Sequence, residues 1–272
     1  MNIEKLYYLL LDIKMKEEDF LLKINKKLKK YSNIPKDLCD YIINAAEKDT
    51  QEHLLPVIST EKERRIVLEK IDNLFKKSSN ITKLSPVKIL KALDFHSKDV
   101  SLGRIDAVFA ELRTIIFLNN NLNLYDINPL KAKKDEKSAD FIAKGNSHKY
   151  AIEVFCRISK ELKEEFKTNE IILKPSTHES DLLQYYISKA EEKKLQLDNT
   201  AVKYLCDKKI IVMVLNDLNI LGLLTFYEYP EILKKISIEL DWESNYHFAI
   251  VTGVTTLGID IVEDVIYPPI TS

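Results

Sequence analysis

Lys209-Ile210-Ile211-Val212-Met213-Val214-Leu215 is a short apolar run closed by Asp207 and Lys208 before it and by Asn216-Asp217 after it. It is too short to span a bilayer, and it has none of the polar alternation of a half-exposed strand. Such a run reads as a central strand buried on both faces, and a sheet of that kind needs covering layers on each side. The chain therefore has to supply helices around a sheet, and the pattern on either side of this run does so.

Upstream, residues 104–120 place Ile105, Val108, Leu112, Ile115 and Ile116 at helical spacing, and Asn119 to Asn121 end the helix. Three short strand-like runs follow at Asn123–Ile127, Ala139–Ala143 and Lys149–Phe155, the last two separated by the hairpin signal Gly145-Asn146. A long helix spans about Ser180–Leu197 and leads into the apolar run. A helix near Glu231–Leu240, a strand at Phe248–Val251 and edge strands at Ile259–Val262 and Val265–Tyr267 complete the order. This is α/β with a mixed sheet. Before residue 95 the chain reads as helices only. Leu6, Leu9, Leu10, Ile13, Leu21, Ile24 and Leu28 form one periodic stretch, and Pro35 opens a helix to about Lys48. Thr60 with Glu63 caps a third helix through about Lys77, and Ser85-Pro86 starts a fourth that ends near Phe95. The expected division is a helical domain at 1–95 and an α/β domain at 96–272.

Composition narrows the function classes. The chain has 272 residues, 45% apolar and 31% charged, with a net charge of -1, an ordinary balance for a folded protein. Five glycines and neither a GxxxxGK[ST] nor a GxGxxG motif argue against glycine-loop nucleotide binding. Cys39, Cys156 and Cys206 are odd in number and form no CxxC pair, which points away from disulfides and structural zinc and toward a cytoplasmic location. MNIEKLYYLLLDIKMKEEDF has charges too frequent for a signal peptide, and no run of about 18 uncharged apolar residues exists, so no membrane partner is expected. Residues 1–95 carry 19 basic and 15 acidic side chains, the remainder 22 and 27, a split too mild to demand a nucleic-acid partner. The five histidines lack HExxH or other ligand spacing, and Cys156 near His148 reads as an inert buried thiol.

The chemistry concentrates in three acids. Glu111 sits mid-helix, Asp140 opens the second strand, and Glu153 lies within the third, with the hairpin turn between them. Alternation puts Lys149, Ala151, Glu153, Phe155 and Arg157 on one face and Ile152 and Val154 on the other. A hairpin of this length brings Asp140 and Glu153 side by side. Two carboxylates that close repel and lose water, and a hard divalent cation such as Mg²⁺ or Mn²⁺ between them relieves both penalties. Each acid also has a plainer reading: Glu111 as a solvent-facing helix residue, Asp140 as a strand-edge acid. Glu153 is harder to explain that way, because an unpaired carboxylate between Ile152 and Val154 is costly.

The segment AELRTIIFL from Ala110 to Leu118, followed by SADFIAKGNSHKYAIEVF from Ser138 to Phe155, resembles the PD-(D/E)XK nuclease superfamily, the restriction-endonuclease-like fold. The helix ISKAEEKKLQL and the strand KKIIVMVL resemble that fold's second core helix and fourth strand, so the likeness covers roughly 105–215. It implies a Mg²⁺- or Mn²⁺-dependent nuclease in which Asp140, Glu153 and the Val154 carbonyl hold the metal and Glu111 orients a water or a second ion. The family places a lysine two residues after the second acid, and here that position is Phe155, read as core. In some members the lysine sits on the second core helix instead, where Lys189 and Lys193 stand at i, i+4 with Gln196 three further on. Either amine would then stabilise charge on the scissile phosphate. Lys149, at the far end of the strand, is the weaker substitute, and the plainer reading of all these lysines is a solvated face. The implied substrate is DNA, with RNA as an alternative, the implied assembly a homodimer, and the implied role defence against foreign DNA. The competing reading is a catalytically silent copy of the fold that binds nucleic acid or protein.

Overall fold

A computed structural model of the chain describes residues 29–47, 61–93, 95, 102–130, 138–157, 179–215, 229–252 and 264–270. The expected N-terminal helical stretch at Leu6–Leu28 and the strand at Ile259–Val262 lie outside the described residues.

The apolar run forms β4 (Lys208–Leu215), and Ile210 to Val214 are fully buried. It sits inside a six-stranded sheet whose spatial order follows the sequence: β1 (Tyr125–Pro129), β2 (Phe141–Lys144), β3 (Lys149–Arg157), β4, β5 (Tyr246–Thr252) and β6 (Val265–Tyr267). β3–β4 and β4–β5 are parallel, while β1–β2, β2–β3 and β5–β6 are antiparallel. The mixed α/β architecture expected from the sequence is therefore present, with the parallel pairs at the centre, where burial on both faces is required.

Two apolar layers cover the sheet. On one face α4 (Leu102–Asn120) packs over β3, β4 and β5, and α2 (Glu61–Thr82) packs on α4 and β1. On the other, α5 (Glu179–Tyr204) and α6 (Tyr229–Leu240) cover β3, β4, β5 and β6. Tyr150, Ile152 and Val154 enter the first layer, Ala151 and Phe155 the second, as strand alternation in β3 requires. The core of the first layer also takes in Leu38 and Tyr41 of α1 (Lys36–Glu47) and Ile89 and Leu90 of α3 (Pro86–Ala92). Residue 95 thus marks a change in secondary structure, while a single core runs across it.

Local chemistry explains where the observed elements depart from their expected bounds. α2 continues past Lys77 through a segment, Ser78-Ser79-Asn80-Ile81-Thr82, that reads as a breaker. The fully buried Ser78 donates its hydroxyl to the Leu112 carbonyl of α4, and Thr82 Oγ1 bonds back to the Ser78 carbonyl, so short polar side chains are consumed inside the helix pair. α5 likewise runs beyond Leu197 to Tyr204, because Thr200 and Ala201 are buried rather than exposed. The α3 start is as the sequence indicates: Ser85 accepts from the Lys88 N–H and Pro86 occupies the first turn. The β2–β3 hairpin closes through Gly145, whose N–H donates to the His148 carbonyl. Glycine fits a close approach there, since a Cβ would lie 3.0 Å from Tyr150 Cε2 and 3.2 Å from Leu124 Cδ2 and would press on both side chains.

α5 is fixed against the sheet by polar anchors at both halves. Tyr186 donates its hydroxyl to the Ile211 carbonyl at 2.8 Å and accepts the Ala249 N–H at 3.2 Å. Lower on the helix, Asp198 pairs with Lys209 at 2.8 Å and Lys194 at 2.9 Å and accepts the Tyr246 hydroxyl. Lys194 also lies 5.2 Å over the Trp242 ring. These anchors set the height of the α5 side chains that face β3 between them.

Candidate metal centre

β2 ends against β3 at the Phe141–Ile152 pair, so the next residues outward, Asp140 and Glu153, stand at the same level of the ribbon. Beyond that level β3 has lost its β2 partner, and Asp140 Oδ2 takes over by accepting the Val154 N–H at 2.7 Å. A residue's N–H and C=O face the same neighbouring strand, so the Val154 carbonyl opens on the side where Asp140 stands. The hairpin register thus sets Asp140 and Glu153 at one level of the ribbon, with the Asp140 carboxylate turned to the Val154 N–H.

Glu153 points into the layer beneath α5 and is 0% exposed. Its two oxygens meet different residues of that helix. Lys193 Nζ lies 2.7 Å from Oε1, and Gln196 Nε2 donates to Oε2 at 2.7 Å. Lys193 and Gln196 are three apart, so both reach down from one helix face. The lysine retains 28% side-chain exposure, which leaves its amine at the boundary between the buried acid and solvent.

The electrostatics follow from burial. Loss of water pushes the Asp140 carboxyl up to about 6, against the opposing pull of the Val154 N–H and the Lys193 charge. Loss of water, then the Asp140 charge, push Glu153 up to about 8, although Lys193 and Gln196 both favour its ionised form. Lys193 itself would be lowered by burial, but Glu153 and Asp140 raise it above the ordinary lysine value. One ammonium thus serves two crowded carboxylates and does not fully compensate them.

The other expected site residues fall as follows. Lys189, one turn before Lys193, directs its amine to Glu192 at 2.6 Å near the surface, so the structure distinguishes the two lysines. Lys149 donates to the Tyr204 carbonyl at the far end of β3. Glu111 is half-buried on α4, the helix on the opposite face of the sheet from α5. Phe155 is core: it packs edge-on against Tyr185 and Tyr186. The sequence places Gln196 on the face of Lys189 and Lys193 without giving it a role, and it does not point to Ser138 or Thr200. Gln196 Nε2 also donates to the Ser138 carbonyl at 2.7 Å, and Thr200 Oγ1 accepts the Ala139 N–H at 2.8 Å. The signal for Gln196 is its spacing three residues after Lys193, while Thr200 lies beyond the helix end expected near Leu197 and carries no signal.

Among the described residues no set of three or more His, Cys, Asp or Glu side chains is gathered to hold a metal ion. What is gathered is a carboxylate pair beside a backbone carbonyl. Mg²⁺ is commonly held by one or two carboxylates and keeps several waters, so this donor set fits it, and the mutual repulsion of the pair favours a cation. No helix among the described residues is long and apolar enough to cross a membrane. No protein-family model, no curated protein and no solved structure matches this chain.

Proposed function

We propose that the chain is a metal-dependent nuclease with a restriction-endonuclease-like core, acting on DNA, with RNA as the alternative substrate. The observation that carries this reading is the meeting of Asp140 and Glu153 at the end of the β2–β3 ribbon with Lys193 at 2.7 Å from Glu153. Asp140, Glu153 and the Val154 carbonyl would hold Mg²⁺ or Mn²⁺, which supplies charge neutralisation at the scissile phosphate and acidifies a water. Lys193 performs the role that Phe155 cannot. It is anchored on Glu153 yet partly open to solvent, so its ammonium would be available to stabilise negative charge on the phosphate. Glu111 is left as the candidate for orienting a water, on the strength of the resemblance alone.

The test uses plasmid, single-stranded DNA and RNA with Mg²⁺ or Mn²⁺. Wild type is expected to cleave at least one of them, and Asp140→Asn, Glu153→Gln and Lys193→Met each to lower the rate by about 10²-fold or more. Cleavage that survives both acid substitutions places the activity elsewhere and ends this reading. One observation favours a second reading, a silent module of the same fold. Both Glu153 oxygens are already engaged by α5, and an aromatic ring fills the usual lysine position. That module would show no cleavage of any substrate and no measurable affinity for Mn²⁺.

A further inference from the structure

The segment that delivers Asp140 is held by contacts outside the sheet ladder. Residues 138, 139 and 140 each make one through the backbone, besides the bond of the Asp140 carboxylate to the Val154 N–H. The Ser138 carbonyl accepts Gln196 Nε2 at 2.7 Å, the Ala139 N–H donates to Thr200 Oγ1 at 2.8 Å, and the Asp140 carbonyl accepts the Leu130 N–H at 2.8 Å. Two of the three come from adjacent turns of α5. Thr200 is 2% exposed and Ala139 is 1% exposed, so water cannot substitute at that contact. Thr200 in turn donates its hydroxyl to the Gln196 carbonyl at 2.9 Å, which fixes the rotamer that points its lone pair at Ala139. Gln196 is the link between the two acids. A single Nε2 holds the Ser138 carbonyl on the approach to Asp140 and Oε2 of Glu153 on β3.

We infer that Gln196 and Thr200 are positioning residues: they form a clamp on α5 that sets the Asp140 carboxylate at a fixed separation from Glu153, so that both can ligate one divalent cation. The inference rests on the reading of Asp140 and Glu153 as cation ligands. The physical reason is that β2 stops at Phe141. Asp140 is thus beyond the β2–β3 ladder, held by its own carboxylate on the Val154 N–H and its carbonyl on the Leu130 N–H, while like charge pushes it away from Glu153. A small cation with near-ideal geometry tolerates little misplacement of its ligands. The clamp opposes that splaying with two donors and one acceptor that bear no charge, so it adds nothing to the repulsion and does not compete for the cation by charge.

The test measures Mn²⁺ binding directly by titration calorimetry on the full chain, with thermal melting as a check on folding and Mg²⁺-dependent cleavage as a second readout. Wild type, Asp140→Asn, Thr200→Val, Thr200→Ser, and Gln196→Leu are compared. Thr200→Val and Gln196→Leu are expected to weaken Mn²⁺ binding about tenfold or more, and Thr200→Ser to bind within about twofold of wild type because it keeps the hydroxyl. In cleavage, the half-saturating Mg²⁺ concentration should rise more than the saturated rate falls. Gln196→Leu carries the comparison if Thr200→Val does not fold, and the reverse. Wild-type affinity in both folded variants, or a Thr200→Ser as weak as Thr200→Val, overturns the clamp alone. Wild-type binding that is absent, or that survives Asp140→Asn, overturns the ligand reading and the clamp with it.

Discussion

Lys193→Met isolates the charge that the buried acid pair depends on. Methionine keeps an apolar stem of similar length and removes only the ammonium. The effect should depend on pH in a direction fixed by the structure. Glu153 is raised from 4.5 to about 8 in the fold, so the unfolded chain gives up this proton first and wild-type stability falls as pH rises from 4.5 through about 8. Above that the folded protein ionises too and the fall stops. Without Lys193 the charged form loses its partner, the carboxyl keeps its proton to higher pH, and the fall continues at up to about 1.4 kcal/mol per pH unit. Asp140, raised to about 6, loses the same cation and shifts in the same direction. Lys193 itself is raised above the ordinary 10.5 by those two carboxylates, so it keeps its proton across this range and its own titration adds nothing to the pH dependence. Urea unfolding in EDTA should therefore show near-equal stabilities at about pH 5.5 and a deficit in the variant of about 2 kcal/mol from Glu153 alone at about pH 9.5. A deficit that is constant with pH, or that shrinks as pH rises, refutes the claim that Lys193 stabilises an ionised Glu153.

Three further substitutions test the frame around the site. Phe155→Ala removes a ring packed on Tyr185 and Tyr186 and should cost about 3–5 kcal/mol in urea unfolding, whereas a loss below about 1 kcal/mol would mean the ring is not core. Gly145→Ala drives a methyl to 3.0 Å from Tyr150 Cε2 and should destabilise by about 1–3 kcal/mol, with the hairpin amides exchanging faster. Burial alone would raise Asp198, but Lys209, Tyr246 and Lys194 hold it below the usual 3.8. Its contribution is therefore present above that value and lost as pH falls through the lowered one. Asp198→Asn should cost about 1–3 kcal/mol at neutral pH, with the gap narrowing in acid, and a gap that widens in acid would contradict the ion pairs.

Much of the architecture was legible because the signals were local. The β3 stretch alternates, the β4 stretch does not, and the α4 stretch repeats at helical spacing, so each element declares its period and burial in its own residues. The hairpin signal at Gly145-Asn146 brought Asp140 opposite Glu153, since a short turn fixes the register of both strands. Element ends were less legible where Ser78 and Thr200 carry hydroxyls that favour turns in isolation and find their partners, the Leu112 carbonyl and the Ala139 N–H, only in the folded chain. The same held for the lysine. Lys189 and Lys193 are one turn apart with similar neighbours, and nothing in the sequence ranks them.

What the sequence determined by itself is therefore the mixed sheet, its buried centre and the pairing of two acids at one end of a ribbon, because these follow from side-chain periodicity and turn length. The tertiary structure decided which cation faces them and what holds them in place. Those depend on the rotation and height of α5 over β3, set by the Tyr186 and Asp198 anchors to strands far along the chain, and no spacing within the helix encodes that.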